Sequence, residues 1–360
     1  MSESPLSALP AAEPAVPEAA RRPADPAAWL VARVDMLLRL GLLGIILLMA
    51  AIFTVRTIPT GHLADIGQAT FISIDNLQNI GRQMAVVGLI AIGETFVIIT
   101  AGIDLSVGSL IGLGGIIMAS AFLNGWSTPL VIATILLFGL AAGLLNGFLV
   151  SVAKVPPFIV TLGMLGILRG FAYLAGNGLS EALSPSGATT SFTVWAQGTF
   201  LGVPTIFLVL AVIAIVCAIF LRFTRRGRYI YALGSNPEAV RLSGINVRTI
   251  LLLVYAISGM LAGVAALLLT ARLGAANPNA GTSYELDAIA AAVLGGASLF
   301  GARGTIFGAF LGVVLVNVLA NGIEIDPANI DPHVQQVVEG VLLILIVWVD
   351  QWRKRRIASA

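Results

Sequence analysis

The run 105-LSVGSLIGLGGIIMASAFLNGWSTPLVIATILLFGLAAGLLNGFLVSVA-153 contains no charged residue. A membrane-crossing helix needs about 20 mostly apolar residues to traverse roughly 30 Å of hydrocarbon. The run is long enough for two crossings, and its polar interruption, Asn124-Gly125-Trp126-Ser127-Thr128-Pro129, reads as the turn between them. The whole chain shares this character: of 360 residues, 58% are hydrophobic and 11% charged, with a mean hydropathy of +0.97. A soluble domain holds roughly 45–50% apolar and about 25% charged residues. Most of this chain therefore faces lipid or other membrane helices, and the fold class is an all-α polytopic membrane protein.

Working outward from that run, apolar stretches between polar breaks suggest about ten transmembrane helices, near 37–56, 83–101, 106–123, 129–152, 157–175, 204–222, 249–271, 286–302, 304–322 and 335–350. The segments starting near 83, 106 and 286 are short or broken by glycines, which allows a re-entrant or half helix among them. Charge orients the set, because Lys and Arg concentrate on the cytoplasmic side. With the N-terminus inside and ten alternating spans, sixteen of the twenty basic residues fall inside, including the clusters Arg222–Arg228 and Arg353–Arg356. Only Arg56, Arg82 and Arg272 fall outside, and Arg169 lies within a span. Both termini are thus expected in the cytoplasm. Residues 1–28, rich in Ala, Pro and Glu without an apolar run, read as a disordered cytoplasmic tail. Residues 29–352 form the membrane domain, with a long basic internal loop at 223–248, and 353–360 form a basic cytoplasmic tail. The longest external loop is 176–203, which has no Lys or Arg; it and the loop 272–284 are the external surfaces expected to meet a partner.

The internal loop contains a local helix signal. Asn236 suits an N-cap, Pro237 the first helical position, Glu238 the positive end of the helix dipole, and Gly244 the left-handed residue that closes a helix. Residues 237–243 are expected to form about two helical turns. A helix this short is unstable alone in water, so it must dock, either on its own membrane helices or in a groove of a cytoplasmic partner. In the second case Ala239, Val240 and Leu242 would supply the apolar contact, with Glu238 and Arg241 on the rim.

This loop resembles the cytoplasmic coupling segment in permease subunits of ribose-type monosaccharide ABC importers. Three further stretches resemble that family in the same order: Gly102-Ile103-Asp104-Leu105-Ser106-Val107-Gly108; Asn146-Gly147 followed by Pro156-Pro157-Phe158-Ile159-Val160-Thr161-Leu162-Gly163; and Tyr284-Glu285-Leu286-Asp287-Ala288-Ile289-Ala290-Ala291-Ala292-Val293-Leu294-Gly295-Gly296. The resemblance covers roughly 75–350 and implies a multi-pass protein of the bacterial inner membrane that passes a pentose, hexose or polyol. It further implies a second permease copy, an ABC ATPase subunit docked on Asn236, Pro237, Glu238, Ala239, Val240, Arg241, Leu242, Ser243 and Gly244, and a periplasmic sugar-binding protein. ATP and magnesium would be held by the ATPase partner. This agrees with the lack of a Gly-x-x-x-x-Gly-Lys-Ser/Thr loop here, so the chain itself is expected to be neither an enzyme nor a cofactor protein. No nucleic-acid partner is expected.

Ionisable residues at membrane depth are costly and usually face a bundle interior or a cavity. The candidates are Glu94, Asp104, Arg169, Asp287 and Glu339, of which Glu94 and Arg169 could pair. As interhelical ties or helix-end charges they would be structural. As pathway lining, Glu94, Asp104, Ser106, Asn146, Thr161 and Asn317 are the set expected to meet a sugar, with Ser109, Ser258 and Asn321 as further neutral polar groups. Glycines at small-xxx-small spacing, in the runs Gly108, Gly112, Gly114, Gly115 and Gly304, Gly308, Gly312, read as close helix packing. The single Cys217 and the distant His62 and His333 offer neither a disulfide nor a metal set. A self-contained secondary transporter, which would need coupling carboxylates such as Glu94 and Asp104, is the alternative, as is an ABC permease for a branched-chain amino acid or a signalling sugar. An intramembrane enzyme finds no nucleophile–base pair at depth.

Overall fold

The computed structural model describes residues 26–59, 61–183, 190–328, 331 and 333–358. It is almost wholly helical. Its elements in chain order are α1 (Pro26–Arg56), α2 (Ile74–Ile99), α3 (Val107–Leu123), α4 (Thr128–Ser151), α5 (Pro157–Ala175), β1 (Glu181–Ala182), α6 (Ser191–Gln197), β2 (Thr199–Phe200), β3 (Val203–Pro204), α7 (Thr205–Phe223), α8 (Arg225–Ser235), α9 (Pro237–Leu242), α10 (Val247–Leu273), β4 (Ala275–Ala276), α11 (Tyr284–Leu294), α12 (Ile306–Glu324) and α13 (His333–Ala358). Residues 1–40 and 41–360 form two units. Within the described residues the first contributes only the start of α1, so the proline-rich tail lies outside them except for Pro26–Ala28, which are helical. Everything below concerns the second.

Local chemistry accounts for the helix starts. Ser73, Thr224, Asn246 and Thr305 each accept a backbone N–H from the first turn of the following helix, as good N-caps do. Pro129 and Pro157 occupy the first turns of α4 and α5. Six helices, α2, α4, α5, α7, α10 and α12, are long and apolar enough to cross a membrane, and Leu40–Arg56 and α3 are shorter apolar helices. The turn expected at 124–129 is present, between Leu123 and Thr128.

The segment at 286–302 departs from the expectation. Its helix, α11, has 11 residues, about 16 Å at 1.5 Å per residue, and it stops at Gly295-Gly296, where Gly296 has φ +94°. The stretch before it, expected as an external loop at 272–284, instead runs down the glycine face of α3. A Cβ at Gly115 would meet Ala276, one at Gly112 the carbonyls of Pro278 and Ala280, and one at Gly108 the carbonyl of Gly281 and the Glu285 carboxylate. The glycines leave room for a second backbone, which passes them in successive turns from Asn277 to Ser283 before the short α11 begins.

The core centres on α10, which packs against α2, α3 and α4. The α4–α10 contact is made by facing glycines: a Cβ at Gly139 would meet the Gly259 carbonyl, and one at Gly143 the Tyr255 carbonyl. Small residues that let backbones approach this closely are the usual device where lipid gives no hydrophobic drive to association. A buried amide pair, Asn76 and Asn321, exchanges hydrogen bonds of 2.8 and 2.9 Å and ties α2 to α12. At the end of α1 the Arg56 guanidinium reaches across to both oxygens of Asp326, Nη2 to Oδ1 at 2.8 Å.

Hydrogen bonding to Arg56 and to the Ala328 N–H holds the Asp326 carboxyl down at about 2. A carboxylate whose folded pKa lies below its unfolded value, ordinarily near 3.9, stabilises at all pH above that value and loses the contribution as pH falls toward the folded one. Asp326→Asn should therefore lower the melting temperature at pH 7, and the gap to wild type should narrow as pH falls from 4 toward 2. A gap independent of pH would show that the ion pair is not what holds this end.

Candidate functional site

Two groups of residues stand out. The first is the short helix in the basic loop. Asn236 Oδ1 accepts the backbone N–H groups of Glu238 and Ala239, both at 3.0 Å. Gly244 closes the turn at φ +76°. Glu238 and Arg241 pair on the outer surface, Nε to Oε2 at 3.0 Å, and this hydrogen bond holds the Glu238 carboxyl below its ordinary range. Leu242 is 76% exposed, and Pro237, Ala239 and Ser243 are also exposed. Val240 is buried, so it anchors α9 to its own chain instead of offering itself to a partner. The apolar part of any outward contact falls to Ala239 and Leu242.

α9 rests on α8 and α10, and α8 is in turn fastened to the membrane helices. The Tyr231 hydroxyl donates to the Gly304 carbonyl at 2.7 Å. Gly234 lies against the Ile99 carbonyl at the end of α2 and against Ala302, and Ala302 N–H bonds that same carbonyl at 2.9 Å. These contacts join α9, through α8, to the end of α2 and to the link between α11 and α12.

The second group is a buried polar cluster between α2, α3, α4 and α10. Asp104 Oδ1 accepts from the Ser106 N–H at 3.1 Å and the Ser106 hydroxyl at 2.6 Å, and Oδ2 accepts from Ser258 Oγ at 2.9 Å. Asn146 Nδ2 donates to Ser106 Oγ at 2.9 Å. Glu94 Oε1 accepts the Asp104 N–H at 3.1 Å, and Thr161 Oγ1 donates to the Ile103 carbonyl at 3.1 Å. Glu94, Asp104, Ser106, Asn146 and Thr161 are all exposed by 1% or less. Five of the six residues expected to act together are therefore brought together, through the loop 100–106 folding back between the helices. Asn317 is not among them: its Nδ2 bonds the Val313 carbonyl of its own helix at 2.8 Å. Ser109 likewise bonds the Ser106 carbonyl.

Glu94 and Arg169 do not pair. Arg169 donates to the backbone carbonyls of Pro278 and Ala280, which lie in a run of turns and have no helical partners. Asp287 is half-buried in the first turn of α11, and the side chain of Glu339 lies outside the described residues. Sequence reasoning overlooked Tyr255, fully buried beside this cluster with its hydroxyl next to Gly102, and Glu285. A lone tyrosine inside an apolar span was the available signal for the first. Among the described residues no three His, Cys, Asp or Glu side chains converge as a metal site would require.

Six apolar helices long enough to cross a membrane, a run of turns along α3 that leads into the short α11, and a capped polar helix exposed on its outer side are the features of a solute-translocating membrane protein. Discontinuous helices recur in transporters, where irregular backbone at membrane depth lines the route. The chain belongs to the family described as branched-chain amino acid transport system / permease component, which matches residues 76–347. It is 41% identical over 280 residues to the ribose import permease protein RbsC of Escherichia coli (strain K12), covering 78% of this chain and 87% of that protein. It is 40% identical over 282 residues to the protein of the same description from Haemophilus influenzae, with coverage of 78% and 87%. With the xylose transport system permease protein XylH of Escherichia coli (strain K12) the identity is 37%, over 79% of this chain and 87% of that one. No solved structure matches the chain. It is a multi-pass membrane permease.

Proposed function

We propose that this chain is the membrane-spanning subunit of an ATP-driven, binding-protein-dependent importer in the bacterial inner membrane, and that its cargo is a monosaccharide. Similarity to ribose and xylose permeases over nearly four-fifths of the chain supports the cargo class. It favours a sugar over the amino acid in the family's description. The observation that carries the ATP-driven reading is α9: a helix of six residues, too short to persist alone, is capped at both ends, anchored by Val240 and left exposed on its outer side. A secondary transporter has no use for such a device.

The proposed topology has both termini in the cytoplasm and ten crossings, the eighth being the run of turns at 277–283 together with α11. The concentration of basic residues on the α9 side supports this orientation. An ABC ATPase, holding ATP and magnesium, docks on α9. A periplasmic binding protein delivers the sugar to the opposite face, where the 176–203 loop forms α6 and the β2–β3 hairpin. Two copies of the permease complete the assembly. Closure of the ATPase pair pushes α9, and the Tyr231–Gly304 and Gly234–Ile99 contacts carry the push to α2, α11 and α12. The near-complete burial of Glu94, Asp104, Ser106 and Asn146 supports a structural role for them: they hold loop 100–106 in place while the helices around it move.

Uptake of radiolabelled ribose or xylose into proteoliposomes tests the proposal. The chain alone should give no uptake, and adding its cognate ATPase, binding protein and internal ATP should give it. Uptake by the chain alone, driven by an ion gradient, would overturn the importer reading. ATP-driven uptake of a branched-chain amino acid but of no sugar would overturn the cargo.

A further inference from the structure

The segment between α10 and α11 places polar groups where a membrane does not tolerate them against lipid. Gly108, beside Gly281 and Glu285, lies fifteen residues (108 to 123) from the end of α3 at Leu123. That is about 22 Å along the helix, past the middle of a hydrocarbon layer roughly 30 Å thick. Between β4 and that point the backbone is neither helix nor paired strand. Asn277, Asn279 and Thr282 on it are exposed. Asn277 Oδ1 accepts the Asn279 N–H at 2.7 Å and Thr282 Oγ1 donates to the Asn279 carbonyl at 2.7 Å. From α5, the Tyr173 hydroxyl bonds Asn279 Oδ1 and Arg169 holds the Pro278 and Ala280 carbonyls. Glu285 turns toward the same segment, and its Oε2 is buried without a hydrogen-bond partner among the described residues.

Irregular backbone and open amides at this depth occur only where they are covered by protein or border water. The chemistry chooses between the two. The side chains mix donors and acceptors: two amides, a phenol, a hydroxyl and a carboxylate. The guanidinium of Arg169 offsets the charge of Glu285, so the set has no preference for an anion or a cation. Such a surface suits a neutral, hydrated polyhydroxyl compound that must be held briefly and let go.

We propose that Arg169, Tyr173, Asn277, Asn279, Thr282 and Glu285 line a water-filled transit site for a monosaccharide, built on the irregular segment that leads into α11. The sugar class rests on the proposed function; the aqueous character does not. Because α11 carries this segment and is joined through the Gly304 link to Tyr231 of α8, the site lies on the element that α9 moves.

Cysteine accessibility tests it. In a Cys217→Ser background the full-length chain, in membranes, receives Asn279→Cys, Thr282→Cys or, as a control on the opposite and apolar side of α5, Phe171→Cys. A thiol must ionise in contact with water to react, so a charged, membrane-impermeant methanethiosulfonate should modify the first two at least roughly tenfold faster than the third. Ribose or xylose at millimolar concentration should slow that modification. Equal, slow reaction at all three positions would overturn the proposal. So would spontaneous disulfide dimers of Asn279→Cys without reagent labelling, which would place a second copy on this face. Fast labelling that neither sugar slows would overturn the sugar site while leaving the channel wet. None of these readouts needs the ATPase, so failure here and failure of the importer reading are separately visible.

Discussion

Gly143→Val should leave little folded protein, and what can be purified in detergent should melt roughly 5–10 °C below wild type, taking the upper range of overpacking costs and the usual conversion for a chain of this size. The reason is backbone against backbone. A side chain at position 143 would collide with the Tyr255 carbonyl and approach the Ala256 Cα, and neither can turn aside as a flexible side chain could. α4 and α10 would have to separate. Their separation would also disturb Asn146 and Ser258, which bind Ser106 and Asp104 from those two helices, and with them the loop 100–106. The control is Gly163→Val on α5, where an added Cβ meets nothing within 4 Å; it should be expressed and melt almost as wild type. Equal behaviour of the two variants would show that the glycine seam does not carry the bundle.

The second large effect is expected on transport without loss of fold. Glu238→Lys and Gly244→Val should each lower ATP-driven uptake by at least about tenfold, while membrane insertion, expression and melting temperature stay near wild type. Glu238 and Arg241 are both exposed, and an exposed pair contributes little to stability because solvent screens it. Reversing the charge at 238 therefore costs the fold little, yet it places a cation beside Arg241 on the surface meant for the partner. Gly244 sits at φ +76° with open space around it. A β-branched residue there is strained by about 1–3 kcal/mol, enough to unwind a helix of six residues and too little to unfold the membrane bundle. Measuring ATPase binding alongside uptake identifies the step. Normal uptake by both variants would remove α9 from the coupling path.

Much of this was legible in the residues. Apolar runs of the required length located α3, α4, α5, α7, α10 and α12 to within a few residues, because lipid imposes a length and a polarity that few soluble sequences meet by accident. The caps of α9 were equally readable: Asn, Pro, Glu and Gly each act on their own neighbours, so Asn236 to Gly244 declares a helix without reference to the rest of the chain.

The chemistry between distant segments was not legible. Glu94, Asp104, Ser106 and Asn146 could be named as polar residues at depth, but only the return of loop 100–106 between α2, α4 and α10 shows that they bind one another, and that Arg169 belongs elsewhere. The run Asn277-Pro278-Asn279-Ala280-Gly281-Thr282-Ser283 has the composition of a loop in water, and by itself it reads as one. It lies instead along α3, because Gly108, Gly112 and Gly115 leave a groove that admits a backbone, and because Arg169 satisfies the carbonyls which that backbone exposes. The sequence by itself determined a polytopic membrane protein with a capped helix on its basic side: each of those features follows from hydropathy, charge or caps acting within a few residues. Where the irregular segment before α11 lies, and which polar groups it brings into one place, was decided by tertiary structure alone, because close approach depends on what two remote helices leave vacant between them.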